Sequence, residues 1–210
     1  MPLLRKAVAV SCFAAVVAVC GTAHAAPGVD LVAQLHAQGT VALFRSTDES
    51  GCVTTAVFVV ANADTERLLP SPSTRTAQVA VVISQFDLCR LVPLLTGNGV
   101  SEDATVVVSP SLREATVSAV VPVLNLSNGQ LVDVFVDLSF VSNSILVADD
   151  GDELNLDVAG FIIDTAFDHT FRYATAIGSV MTLDGELTPE PSEEAMIEHV
   201  RAGTVVIAHP

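Results

Sequence analysis

Between Glu114 and Val141 the sequence runs EATVSAVVPVLNLSNGQLVDVFVDLSFV, two alternating stretches around Ser127-Asn128-Gly129-Gln130. A period of two is the pattern of a strand with one buried face. Asn-Gly between two such runs predicts a β-hairpin, because both residues tolerate the positive φ of a two-residue turn. With Ser127 paired to Gln130, the register follows by counting. Val123 faces Val134, Val121 faces Val136, Ala119 faces Leu138 and Val117 faces Phe140. That face is wholly apolar and is predicted to be buried. On the other face Leu124 meets Asp133, Pro122 meets Phe135, Val120 meets Asp137 and Ser118 meets Ser139, a mixture suited to water. Pro122 falls at a non-hydrogen-bonded site of this pairing. Its missing N–H costs nothing towards 131–141 but interrupts a ladder on the far side. Strand 114–126 is therefore predicted to be an edge or to carry a bulge near Pro122.

Residues 1–25 read as a secretory signal peptide. Arg5 and Lys6 precede a short apolar run, Ala7 to Gly21, and Ala23-His24-Ala25 offers small residues for cleavage. No comparable apolar run follows, so no membrane span is expected after signal removal. The implied location is secreted or periplasmic. Removing residues 1–25 takes two of the 9 basic residues and none of the 24 acidic ones, leaving a net charge of −17. The remaining bases are all arginines. Such a surface repels nucleic acid and anionic lipid.

Two cysteines remain, Cys52 and Cys89, and an even count in an exported chain predicts one disulfide. Residues 26–39 are a weakly patterned lead-in. Strands are predicted at 40–47, 52–62, 76–87 and 104–109, then the hairpin, then 161–173 continuing towards 181, and 204–208. The two cysteines would sit at one end of antiparallel neighbours 52–62 and 76–87. Residues 63–75 and 88–103 read as connections. Residues 148–157, ADDGDELNLD, read as an acidic turn leading into a strand. Residues 189–199 are ambiguous: Ser192 before Glu193 and Glu194 suits a helix cap, but an extended path fits equally. Roughly eight to ten strands with frequent turns predict an all-β, antiparallel β-sandwich, immunoglobulin-like in general architecture, as a single domain over 40–210.

Candidate chemistry is sparse. Asp149, Asp150, Asp152, Glu153 and Asp157 cluster oxygens of the kind Ca²⁺ prefers, but the spacing is not that of an EF-hand and an exposed acidic turn is the plainer reading. No other cofactor is indicated. Asp164 and Asp168, four apart on a strand, stand about 13 Å apart, too far for a glycosidase pair. Asp168 and His169 are adjacent and so point to opposite faces. His169, among Phe167, Phe171 and Tyr173, reads as a packed histidine. Gly97-Asn98-Gly99 lacks the third glycine of a dinucleotide loop, and no GxSxG elbow occurs. The absence of Trp disfavours a carbohydrate platform.

The segments SGCVTTAVFVVA, VAVVISQFDLC, VDVFVDLSF, RYATAIGSV and PSEEAMIEHVRAGTVVI resemble a group of uncharacterised exported bacterial β-rich proteins with one disulfide. The likeness spans most of the chain after residue 25. It implies an exported β-rich fold and carries no activity. Members tend to have a Trp near the end of the strand matching 131–141, where Phe140 or a neighbour stands here. Their link from that strand towards Ile163 is also less acidic. The resulting expectation is a non-enzymatic binding or structural module of the cell envelope or extracellular space, with a protein partner there. The alternatives are an extracellular hydrolase using loop carboxylates and a Ca²⁺-stabilised adhesion-type domain. Any site is expected in the loops at 63–75, 88–103 or 148–157.

Overall fold

The computed structural model describes residues 31–68, 77–158, 161–188 and 191–208, and side chains within 37–63, 77–148, 168–188 and 191–201. Eleven strands occupy the described residues: β1 (Leu31–Thr47), β2 (Val53–Leu68), β3 (Gln78–Asp87), β4 (Val92–Ser101), β5 (Ala104–Val108), β6 (Glu114–Asn125), β7 (Leu131–Val141), β8 (Val147–Val158), β9 (Phe161–Thr182), β10 (Gly185–Glu186) and β11 (Ser192–Ala208). The all-β, antiparallel expectation holds. All eleven strands belong to one sheet. Pairing runs β1–β2–β3–β4–β6–β7–β9–β11 and returns to β1, so this part closes on itself. Closure leaves these strands without free edges there.

Two strands are broken where the closed wall changes partner. β4 and β5 run in the same direction along β6. β4 ends its pairing at Gly99↔Val123, and β5 resumes it at Ala104↔Ala119. Four residues, 100–103, therefore face three, 120–122. The extra residue is a bulge, and it lies opposite Pro122, which has no N–H to offer on that side. Strand 114–125 is thus not an edge: the irregularity expected from Pro122 is carried by its neighbour. In the same way β7 and β8 run along one side of β9, with 142–146 facing 172–174. Arg172 holds this second break, donating from Nη1 to the Ser144 carbonyl (2.5 Å) and from Nε to the Ser111 carbonyl (3.0 Å). Ser142 adds an Oγ–H bond to the Tyr173 carbonyl (2.5 Å). Beyond the closed part, β8, β9, β11, β1 and β2 continue side by side as an open sheet.

Side chains fill the closed part. Val57, Val59, Val79, Val81, Ile83, Val121, Val123, Val134 and Val180 are fully excluded from solvent, with Leu138 and Phe140 nearly so. They form one cluster. Each such side chain contributes about 1.5–3 kcal/mol by leaving water. β6 and β7 alternate buried and exposed along almost their whole length, as the sequence pattern requires.

The hairpin register differs from the expected one by two residues. Val121 pairs with Val134, Ala119 with Val136, Val117 with Leu138 and Ala115 with Phe140. The loop is four residues, 126–129, closed by Asn125 N–H to Gln130 O (2.8 Å) and Gly129 N–H to Asn125 O (2.7 Å). Asn125 Oδ1 accepts from Ser127 N–H (2.9 Å), and this local turn outcompetes the two-residue one. Only Gly129 takes a positive φ. A slip of two keeps every side chain on its predicted face, whereas a slip of one would have inverted them.

Other boundaries moved as well. β1 begins at Leu31, nine residues before Thr40, and β2 runs to Leu68. The connection expected over 88–103 contains β4. Its Gly97 and Gly99 are not turn residues. A Cβ there would lie 2.3 Å from the Leu124 carbonyl oxygen and 2.2 Å from that of Pro122, so they permit β4 to press against β6. The acidic stretch expected as a turn is the backbone of β8, and the ambiguous 189–199 stretch is extended from Ser192 as β11.

Candidate functional site

Cys52 and Cys89 form the expected disulfide, with Cα atoms 5.2 Å apart. They sit at one end of β2 and β3, where Val53 pairs with Asp87. Each cysteine's amide is held by an aspartate at a strand end, Asp48 just after β1 and Asp87 as the last residue of β3. Asp48 Oδ1 accepts from the N–H groups of Cys52 and Val53, both at 2.9 Å. Asp87 Oδ1 accepts from those of Cys89 and Arg90, also at 2.9 Å. The Ser50 hydroxyl, the Val53 amide and the other turn amides hold the Asp48 carboxyl below its ordinary value. Beside this corner lies an open polar recess of about 430 Å³, lined by Arg45, Thr47, Thr54, Thr55 and Ser84 among others. Arg45, one of the lining residues, also bonds from Nη1 to Glu194 Oε1 of β11 at 2.9 Å.

His169, Phe171 and Tyr173 share a face of β9, as their spacing predicts. The His169 and Phe171 rings stack at 4.8 Å, and Tyr173 meets Phe171 edge-on at 5.3 Å. The acid beside His169 is not Asp168, which is exposed. It is Glu198 of β11, whose side chain is only 4% exposed and whose Oε2 lies 2.8 Å from His169 Nε2. The sequence reading missed Glu198 because its stretch was ambiguous and its register against β9 was unknown.

On the outer face of β6, β7 and β9 the pairing arranges side chains in rows. Val120, Phe135 and Met181 form one row. Ser118, Asp137 and Ser179 flank it on one side, and Pro122 with Asp133 on the other. Leu124 and Leu131 form the next row. Val120 is 46% exposed, Phe135 38% and Met181 39%, with Leu131 at 69%. Asp133 and Asp137 are exposed, and no basic residue stands in these rows. The sequence assigned Asp133, Phe135 and Asp137 to the solvent face but set each against the wrong residue of β6.

The Ca²⁺ candidates Asp149, Asp150, Asp152 and Asp157 lie on β8, with a register shift between Asp150 and Asp152. Their side chains, like that of Asp164, lie outside the described residues. Among the described residues no group of three His, Cys, Asp or Glu side chains is placed to hold a metal ion, and no helix is long and apolar enough to cross a membrane. No protein-family model, curated protein or solved structure matches the chain.

Proposed function

We propose that this protein is a secreted or periplasmic binding module that acts without chemical turnover, in the cell envelope or the extracellular space. The observation that carries this reading is the outer face of β6, β7 and β9, where large apolar side chains stand exposed between carboxylates. A contiguous exposed apolar patch rimmed by polar residues is the pattern of a contact surface. The packed core supports the same reading, since it leaves the outer surface to meet a ligand. The disulfide and the signal-like residues 1–25 support an oxidising location. The test is in vivo photo-crosslinking of the native exported chain, with the crosslinker introduced at Phe135, alongside a hydrolase substrate panel. A discrete adduct and no turnover are expected. Turnover of an ester, glycoside or peptide substrate that is lost on replacing a carboxylate would overturn the reading.

A further inference from the structure

We infer that the outer face of β6, β7 and β9 is a docking surface for a basic, apolar-bearing polypeptide segment. This rests on the binding-module reading and names the partner's chemistry. Along β7, Leu131, Asp133, Phe135 and Asp137 project from the same face at successive alternate positions. Alternate residues of a strand are about 7 Å apart. An extended segment laid along β7 repeats that spacing, so an apolar-x-basic-x-apolar-x-basic sequence matches it residue for residue. Its apolar side chains cover Leu124–Leu131 and Val120–Phe135–Met181, and its cations reach Asp133 and Asp137.

Three features select this occupant. From Phe135 to Val141 β7 is bonded on both sides, to β6 and to β9, so along that part the segment lies on the face and does not add a strand. A second copy seated by two-fold symmetry would set this acidic face against itself, carboxylate towards carboxylate. An anionic lipid surface or nucleic acid meets the same repulsion, strengthened by the chain's large negative charge. A cationic segment instead gains attraction during approach and removes the apolar rows from water on contact.

The experiment is a fluorescence-anisotropy titration of labelled Leu-Ser-Lys-Ser-Leu-Ser-Lys with the full exported chain, disulfide intact, at low ionic strength. Binding is expected, and weakening of roughly tenfold in Phe135→Ser and in the double variant Asp133→Asn, Asp137→Asn. The double variant Glu49→Gln, Glu193→Gln, away from this face, is expected to bind as wild type. The Leu-Ser-Glu-Ser-Leu-Ser-Glu peptide and the reordered Leu-Leu-Ser-Ser-Ser-Lys-Lys peptide are expected to bind weakly. No binding by the wild type overturns the inference, as does equal weakening in the Glu49 and Glu193 variant, which would mean general charge attraction. A wild-type dimer in sedimentation that Phe135→Ser dissociates overturns it in favour of a second copy. A crosslinked partner retained in the Asp133 and Asp137 variant overturns this inference while leaving the binding-module reading standing. Substrate turnover overturns that reading itself.

Discussion

Glu198 and His169 meet across β11 and β9 at 2.8 Å, one almost wholly buried and the other about a quarter exposed. Removing one partner of such a pair leaves the other's polar group buried without its bond. His169→Ala is expected to cost about 2–4 kcal/mol, whereas Glu198→Gln, which keeps an acceptor, costs about 1 kcal/mol or less. The double variant His169→Phe, Glu198→Leu restores most of the loss, because an apolar pair of similar volume needs no desolvation. Urea denaturation of the three variants checks the order. A His169→Ala variant as stable as wild type would show that the pair contributes nothing.

The disulfide closes a loop with a sequence separation of 37. Chain entropy assigns such a closure about 4 kcal/mol. Reduction is expected to lower the thermal midpoint markedly, and Cys52→Ser, Cys89→Ser to reproduce the reduced value. Intact mass with and without reductant checks the starting state.

Asp48 carries a pH dependence of known sign. Its folded carboxyl is held below the ordinary 3.8, chiefly by the Ser50 hydroxyl and then by the Val53 amide. Its contribution is therefore complete above the unfolded value and is lost as pH falls through the lowered folded value. Asp48→Asn is expected to reduce the fall in stability below about pH 4 relative to wild type. Denaturation midpoints at neutral and acid pH check this.

Two glycines separate conformational cost from steric cost. Gly129 has a φ of +72° with open space around it, so Gly129→Ala is expected to cost about 1 kcal/mol. Gly99 has backbone where a Cβ would go, 2.2 Å from the Pro122 oxygen, so Gly99→Ala is expected to cost about 3 kcal/mol. Equal costs would contradict the close approach of β4 to β6.

Much of this fold was legible because burial writes itself into alternation. Every residue of β6 and β7 that the pattern sent inward is inward, and Pro122 marked the place where the neighbouring ladder breaks. The loop register was not legible, since Asn-Gly suits a two-residue turn, whereas the four-residue loop is held by side-chain bonds of Asn125 and Asn128 to the Ser127 and Gln130 amides. β4 was hidden by Gly97 and Gly99, which look like turn residues but relieve a contact remote in sequence. β8 was hidden by its aspartates. The Glu198–His169 pair and the Val120–Phe135–Met181 row both depend on which residue lies opposite which, and alternation alone does not specify that.

The sharpest test of the docking face on β6, β7 and β9 is amide chemical-shift mapping of residues 26–210, disulfide intact, as Leu-Ser-Lys-Ser-Leu-Ser-Lys is added. Docking there is expected to give shifts concentrated at 118–124, 131–137 and 177–181, saturating together. Shifts confined to the polar recess around Arg45, Thr54 and Ser84, or none at all, would contradict it.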